Sequence, residues 1–193
     1  IKSIVEVRNK FFTEAKKIQK FAHCENIVKV HEVFDENNTS YYSMEYIDGY
    51  NLLDYVKEKG KLLEKEAIRI IRGVANALKA MHNESMLHMD VKPGNIMIGK
   101  NGRVVLIDFG GAHKYNASFQ KNTTLVNLNS PGFTPPELIG SYRFSPAYDI
   151  YSLGATLHFM LLGDIPNNGS GESRISTNIN NSSMLNELPN DIS

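Results

Sequence analysis

The sequence contains one cysteine, Cys24, in 193 residues. A single thiol cannot close an internal disulfide, so the composition excludes a disulfide-stabilised secreted scaffold and a zinc site built from Cys-x-x-Cys pairs. Nothing near Cys24 favours a reactive thiolate, and we interpret this residue as inert. This cysteine content fits a reducing compartment, and we expect a cytoplasmic location.

The sequence also lacks an excess of charge of either sign. Lys and Arg together number 21, and Asp and Glu together number 21, so the formal net charge is zero. Proteins that coat nucleic acid through bulk charge usually carry a clear basic excess. We therefore expect no nucleic-acid partner of that class.

Long apolar runs are missing as well. The longest purely apolar stretches are only a few residues long, as at residues 159–162. A membrane-spanning helix needs about 20 consecutive apolar residues. We therefore predict no membrane segment in these residues.

The order of the sequence patterns predicts an α+β fold. At 193 residues the chain is long enough for one compact core or two small lobes. The spacing of apolar residues predicts a strand at 1–5, a helix at 9–21, a hairpin of strands 26–34 and 40–47, a short helix after residue 51, a long helix at 64–81, a hairpin of strands 96–98 and 104–107, and a helix at 146–162. Strands come early and helices later, which favours two unequal lobes.

The predicted long helix should bury one apolar face. That face is predicted to contain Ala67, Ile68, Ile71, Val74, Ala75, Leu78 and Met81. Residues 110–135 have no sustained period, and a connection of that length is typical of a functional loop. Residues 167–193 are rich in Asn and Ser and predict a further loop.

Acidic, basic and amide side chains are concentrated in two short motifs. The first motif, residues 88–95, lies between the long helix and a hairpin, and the second follows that hairpin at residues 108–110. A hairpin returns the chain to its starting edge, so we expect the two motifs to meet. Phosphoryl transfer needs a group that accepts the hydroxyl proton, a cation beside the phosphate and oxygen ligands for Mg²⁺. Asp90 is the predicted base, Lys92 the cation, and Asn95 and Asp108 the metal ligands.

These motifs resemble those of the protein kinase family. The catalytic loop of that family resembles His88-x-Asp90-x-Lys92-x-x-Asn95, and its metal-binding motif resembles Asp108-Phe109-Gly110. Further similarities, in the family's order, are Glu14 and His23 in the αC helix and its exit, residues 44–49 at the hinge, Pro135-Pro136-Glu137 at the end of the activation segment, and Asp149-x-x-Ser152-x-Gly154 in the helix that anchors the catalytic loop. The resemblance extends over about residues 1–166 and is greatest to bacterial-type serine/threonine kinases.

The resemblance implies a fold, a reaction and two cofactors. The fold is a bilobal kinase-like one with a partial, β-rich N-lobe at residues 1–47, a mostly helical C-lobe at 48–166, and an Asn/Ser-rich loop at 167–193 that leads to further helices. The implied reaction is ATP-dependent phosphorylation of Ser or Thr on a protein substrate, with Mg²⁺ bound. Lys92 and Ser130 follow the serine/threonine pattern, in which a hydroxyl at position 130 contacts Asp90 and Lys92.

The resemblance also implies individual roles. The residues assigned to the ATP site are Lys2 and its ion-pair partner Glu14, the gatekeeper Met44, the backbone of Glu45 and Ile47 beside adenine, Asn51 at the ribose, Met97 under adenine, and Asp108. The residues assigned to structure and regulation are Ser130, Gly110, Glu137, Asp149, and an apolar column formed by Ile18, Val30, His88 and Phe109.

The sequence departs from the family pattern in three ways. No Gly-x-Gly-x-x-Gly motif is present, and Met89 stands where the family usually has an Arg that pairs with a phosphate. The sequence also stops before the family's last helices. We therefore expect a fragment that is inactive or poorly active by itself, and a kinase whose activity does not depend on a phosphate in the loop after Gly110.

Two other functions share these features. A pseudokinase would keep the fold as a binding module, and a small-molecule kinase of the aminoglycoside phosphotransferase type would share the lobes. The presence of Asp90, Lys92, Asn95 and Asp108 disfavours the first, and the peptide platform expected at residues 130–137 disfavours the second. Five histidines have no paired spacing and are interpreted as surface or packing residues: His23, His31, His82, His113 and His158.

Overall fold

The computed structural model describes Phe12 and residues 15–37, 39–115, 130–136 and 144–166. The strands are β1 (Val30–Glu36), β2 (Thr39–Met44), β3 (Gly49–Asn51), β4 (Met86–Leu87), β5 (Ile96–Gly99), β6 (Val104–Leu106) and β7 (His113–Lys114). The helices are α1 (Leu52–Lys59), α2 (Glu64–Asn83) and α3 (Pro146–Leu162), and residues 15–19 are also helical. The predicted α+β fold is confirmed.

The N-terminal part contains the predicted hairpin, but its strands are shifted. β1 and β2 pair antiparallel from Val30↔Met44 to Glu36↔Thr39. The predicted strand at 26–34 starts too early, because the backbone N–H of Val28 bonds the carbonyl of Leu106 at 3.1 Å instead. The predicted end at residue 47 is also wrong, because β2 ends at Met44 and the backbone N–H of Lys29 bonds the side-chain carboxylate of Glu45 at 2.9 Å instead of a backbone carbonyl.

A three-stranded antiparallel sheet, in the order β3-β5-β6, carries the segments next to the site. Asn51 pairs with Met97, and Ile96 pairs with Leu106. Gly49 is required in β3, since a Cβ there would lie 2.0 Å from the carbonyl oxygen of Ile98. The close approach places the start of α1 directly beside the loop that follows α2.

The buried face of α2 differs from the predicted one. The buried residues are Ala67, Ile70, Gly73, Val74, Ala77, Leu78 and Met81. Ile68, Ile71 and Ala75 are only partly buried, so their predicted place at the centre of the face is wrong. The reason is that β6 packs directly against Gly73, which turns this side of the helix toward the core. An added Cβ at Gly73 would lie 2.7 Å from Cβ of Val104. A glycine adds nothing to a hydrophobic pattern, so the pattern misses this contact.

The helix α3 begins and ends as predicted. It starts at Pro146, whose missing N–H is tolerated in the first turn. It ends at Leu162 and is capped by Gly163, which has a φ of 77° and donates its N–H to the carbonyl of Phe159 at 2.9 Å. Three polar residues of α3 are buried: Asp149, Ser152 and Thr156. Among the described residues, no helix combines the length and the apolar character that crossing a membrane requires.

Candidate active site

Asp149 anchors the loop that carries the predicted catalytic residues. Its side chain is completely buried in α3. One carboxylate oxygen accepts the backbone N–H of Met89 at 2.8 Å, and the other accepts the backbone N–H of His88 at 2.9 Å. Met89 has a φ of 69°, in the left-handed region that a side chain rarely adopts. The buried carboxylate therefore holds the loop in a strained conformation.

His82 provides a third partner for Asp149, which the sequence analysis missed. Its Nε2 lies 2.7 Å from Oδ2 of Asp149. The interpretation of His82 as a surface or packing residue therefore missed this polar contact. The two residues are 67 positions apart, so sequence spacing gave no sign of the pair. The only available signal was a histidine in the last turn of the helix before the first motif.

Asp90 is surrounded by the polar residues predicted to act with it. Its Oδ1 accepts a hydrogen bond from Oγ of Ser130 at 2.7 Å. Its Oδ2 accepts hydrogen bonds from Nζ of Lys92 at 2.7 Å and from Nδ2 of Asn95 at 3.0 Å. Lys92 also donates to Oγ of Ser130 at 3.1 Å. The structure thus brings together all four residues, including the predicted contact of Ser130 with both Asp90 and Lys92.

Asn95 and Asp108 have donor atoms that suit a divalent cation. Nδ2 of Asn95 donates two hydrogen bonds to Asp90, one of them to the backbone carbonyl at 2.8 Å. The amide oxygen of Asn95 is the atom that suits a cation. Asp108 is exposed, has a φ of 60°, and accepts the N–H of Gly110 at 3.1 Å.

The described residues offer few side chains that could bind a cation here. Among the described residues, no three His, Cys, Asp or Glu side chains converge on a common point that could hold a metal. Mg²⁺ typically takes one or two protein oxygens and completes its shell with water and phosphate oxygens. The two oxygen donors of Asn95 and Asp108 fit that requirement.

His88 is buried against Phe109. Their ring centroids are 5.0 Å apart in an edge-to-face arrangement, and Nδ1 of His88 accepts the N–H of Asp90 at 3.3 Å. Burial lowers the pKa of His88, with nearby carboxylates opposing the effect. The imidazole is therefore neutral at physiological pH and packs as a core ring. Ile18 and Val30, the other residues of the predicted column, are buried in the same core as Phe109.

Glu45 forms an ion pair that the sequence analysis did not foresee. Arg103, beside the β5–β6 turn, donates to both carboxylate oxygens of Glu45 at 2.6 and 2.8 Å. Arg103 also donates from Nε to the carbonyl of Glu25 at 2.7 Å. The hydrogen bond from Arg103 holds the pKa of Glu45 below its ordinary value, although partial burial opposes it. One arginine thus connects three chain segments beside the predicted hinge.

Asn51 connects α1 to the loop of residues 88–95. Its Oδ1 accepts the N–H of Leu53 at 2.9 Å and caps the helix. Its Nδ2 donates to the carbonyl of Gly94 at 2.6 Å. Of the other residues predicted to surround a nucleotide, Met44 is about half exposed, whereas Ile47 and Met97 are partly buried.

Three predicted site residues lie outside the described residues: Lys2, Glu14 and Glu137. Their assignments stay predictions. The residues just before Glu137 are described, and there the carbonyl of Phe133 accepts a hydrogen bond from Oγ of Ser152 at 2.7 Å. This bond fixes the segment 130–136 to α3.

Comparison with known proteins agrees with this geometry. Residues 2–192 match the family profile described as "Protein kinase domain". The chain belongs to the protein kinase family.

Curated kinases from different organisms are similar to this chain. It is 38% identical over 154 residues to "Probable serine/threonine-protein kinase zyg-1" of Caenorhabditis briggsae, covering 78% of this chain and 21% of that protein. It is 37% identical over 164 residues to a probable serine/threonine-protein kinase of Clostridium perfringens, covering 85% of this chain and 24% of that protein. It is 33% identical over 171 residues to "Serine/threonine-protein kinase PrkC" of Bacillus subtilis, covering 89% of this chain and 26% of that protein.

Two of these relatives are bacterial serine/threonine kinases, which confirms the resemblance noted in the sequence. The chain spans about a fifth to a quarter of the length of the three relatives.

Proposed function

We propose that this chain contains the catalytic residues of a serine/threonine protein kinase. The observation that supports this most is the cluster at Asp90, whose carboxylate accepts hydrogen bonds from Ser130, Lys92 and Asn95 at 2.7, 2.7 and 3.0 Å. A general base must be positioned within hydrogen-bond reach of the proton that it accepts. Three donors from two separate segments orient this carboxylate.

In the proposed reaction, the γ-phosphoryl group of ATP is transferred to a Ser or Thr hydroxyl. The hydroxyl oxygen forms a bond to the γ-phosphorus while the bond to the bridging oxygen breaks, and ADP leaves with that electron pair. The hydroxyl proton goes to the Asp90 carboxylate. Lys92, whose Nζ already touches Asp90 and Ser130, supplies positive charge beside the transferred group.

Asn95 and Asp108 are the proposed Mg²⁺ ligands, through the amide oxygen and the carboxylate. When bound, the cation neutralises charge on the phosphates. The proposed nucleotide contacts are those that the family resemblance implies: Lys2 with Glu14 at the phosphates, Met44, Glu45, Ile47 and Met97 around adenine, and Asn51 at the ribose. The lobe boundary between residues 47 and 48 also stays a proposal, as does a cytoplasmic location.

Two alternatives predict different results. A pseudokinase would bind nucleotide without turnover, but the retained contacts among Asp90, Lys92 and Asn95 favour chemistry. A small-molecule kinase would not need a peptide platform, whereas residues 130–136 here are fixed both to Asp90, through Ser130, and to α3, through Phe133.

The test uses the complete gene product that contains these residues. Turnover of ATP is measured with Ser, Thr and Tyr peptides and with aminoglycosides. Asp90→Asn should leave nucleotide affinity nearly intact and reduce phosphotransfer by about a hundredfold or more. The matched control is Asp164→Asn, at an exposed acid just after α3, which should retain the wild-type rate. Weakened ATP binding with normal single-turnover chemistry in Asp90→Asn would rule out the assigned role.

A further inference from the structure

A small apolar cluster lies apart from the main core and includes Met89 of the loop at residues 88–95. Leu87, Met89 and Tyr148 are buried in it, and Tyr115 and Phe144 pack against them. We name these five residues the Met89 cluster. We propose that it holds both described ends of the segment between Asp108 and Pro136 in place, and that Met89 is a positioning residue for the peptide side of the site. This inference rests on the function proposed above.

Met89 is fixed in this cluster by its own backbone. The N–H of Met89 bonds a buried oxygen of Asp149 at 2.8 Å, with φ at 69°. This conformation directs the side chain into the cluster, where only 3% of the residue is exposed. A methionine side chain is flexible and polarisable, and it packs well against aromatic rings such as those of Tyr115 and Tyr148.

The cluster contacts the first end of the segment through β7. Leu87 lies in β4 and pairs with His113 of β7. The next residue after β7, Tyr115, packs against the cluster, and its N–H bonds the carbonyl of Ser85 at 3.0 Å. Side-chain packing and main-chain pairing therefore act on the same three residues, 113–115.

The cluster reaches the second end through Tyr148. The Tyr148 side chain is hydrogen-bonded to Thr134, and burial of the ring raises the pKa of its hydroxyl. Thr134 closes a turn with Ser130, because its Oγ1 accepts the N–H of Ser130 at 3.1 Å and donates to the Ser130 carbonyl at 3.2 Å. Ser130 in turn donates to Asp90 at 2.7 Å. A continuous chain of contacts thus connects Met89 to the catalytic carboxylate.

The consequence is that an uncharged contact orders this part of the site. An arginine at position 89 could reach an anion only by leaving the cluster, and a charge left inside would be costly to bury. Apolar packing does not require phosphorylation. Loss of the cluster should therefore affect peptide binding, which needs residues 130–136, more than ATP binding.

The first arm of the test is kinetic and uses the complete gene product. Met89→Ala should raise the KM for a Ser peptide about tenfold while the KM for ATP stays within about twofold. Met89→Leu, which keeps the volume, should restore the peptide KM. Tyr148→Phe removes only the hydroxyl that contacts Thr134, so it should raise the peptide KM about fivefold even if Met89→Ala does not fold.

Met160→Ala is the matched control, since Met160 is equally buried but lies in the main core. It should lower the melting temperature as much as Met89→Ala and leave the peptide KM unchanged. A peptide KM unchanged in both Met89→Ala and Tyr148→Phe, or equal increases in the KM for peptide and ATP, would overturn the inference.

The second arm separates this inference from the proposed function. Hydrogen exchange of the substrate-free protein should be faster at residues 113–115 and 130–136 in Met89→Ala than in Met160→Ala. If wild-type protein phosphorylates no peptide, the proposed function fails, but faster exchange at these two segments still supports the cluster. Equal exchange in the two variants contradicts it.

Discussion

Asp149→Asn replaces one carboxylate oxygen by an NH₂ group without changing the shape of the side chain. Both oxygens of this buried residue accept hydrogen bonds, from Met89 on one side and from His88 and His82 on the other. The less costly orientation of the amide places NH₂ opposite the N–H of Met89, so that two donors meet without an acceptor. One buried unsatisfied donor costs about 1–3 kcal/mol.

The backbone of Met89 determines how the loop responds to this loss. A left-handed conformation costs a non-glycine residue about 1–2 kcal/mol, and here the bond to Asp149 offsets it. Once the acceptor is lost, the loop can relax only by moving Met89 and its neighbour Asp90. We expect the free energy of unfolding to fall by about 1–3 kcal/mol, which is a substantial part of the ~5–15 kcal/mol of a typical domain.

The assay is urea unfolding, combined with phosphotransfer at a temperature where both proteins are folded. We expect a lower urea midpoint, an unchanged slope and a rate reduced by more than tenfold. His82→Ala should lower the cost of Asp149→Asn, because contacting residues are not additive. A loss of stability below about 0.5 kcal/mol, the range of ordinary surface changes, would refute this account of Asp149.

Three further predictions concern other parts of the site. Burial lowers the pKa of His88, so the unfolded chain takes up a proton that the folded chain does not as the pH falls through about 6.5. The free energy of unfolding should therefore decrease below that pH. Urea titrations at different pH values should show a smaller decrease in His88→Phe. Arg103→Gln should raise the KM for ATP and lower the melting temperature, because Glu45 loses both of its guanidinium bonds. The same KM in both proteins would show that the ion pair does not position the predicted hinge. Asp108→Ala should weaken Mg·ATP binding more than binding of Mg-free nucleotide in calorimetry, and equal weakening would exclude an action through the metal.

Several parts of this protein could be predicted because their determinants are local. The bounds of α3 follow from Pro146 at its start and Gly163 just after its end. The hairpin of β5 and β6 follows from two short apolar runs around a turn. The meeting of Asp90, Lys92 and Asn95 follows from their spacing within eight residues of one loop. The hairpin then returns the chain to that loop, since the N–H of Ile107, just before Asp108, bonds the carbonyl of Asn95 at 2.9 Å. The family could be recognised from the same short motifs.

Other features required the tertiary structure, because they depend on residues that are distant in the chain. No local pattern encodes the relative placement of elements that the pairs His82–Asp149 and Glu45–Arg103 join. The same holds for the buried face of α2, which depends on the strand that packs against it. The sequence identified Met89 only as a missing charge. Its role as a packing residue depends on the left-handed backbone that Asp149 imposes and on aromatic rings from two other segments, which come together only after the chain has folded.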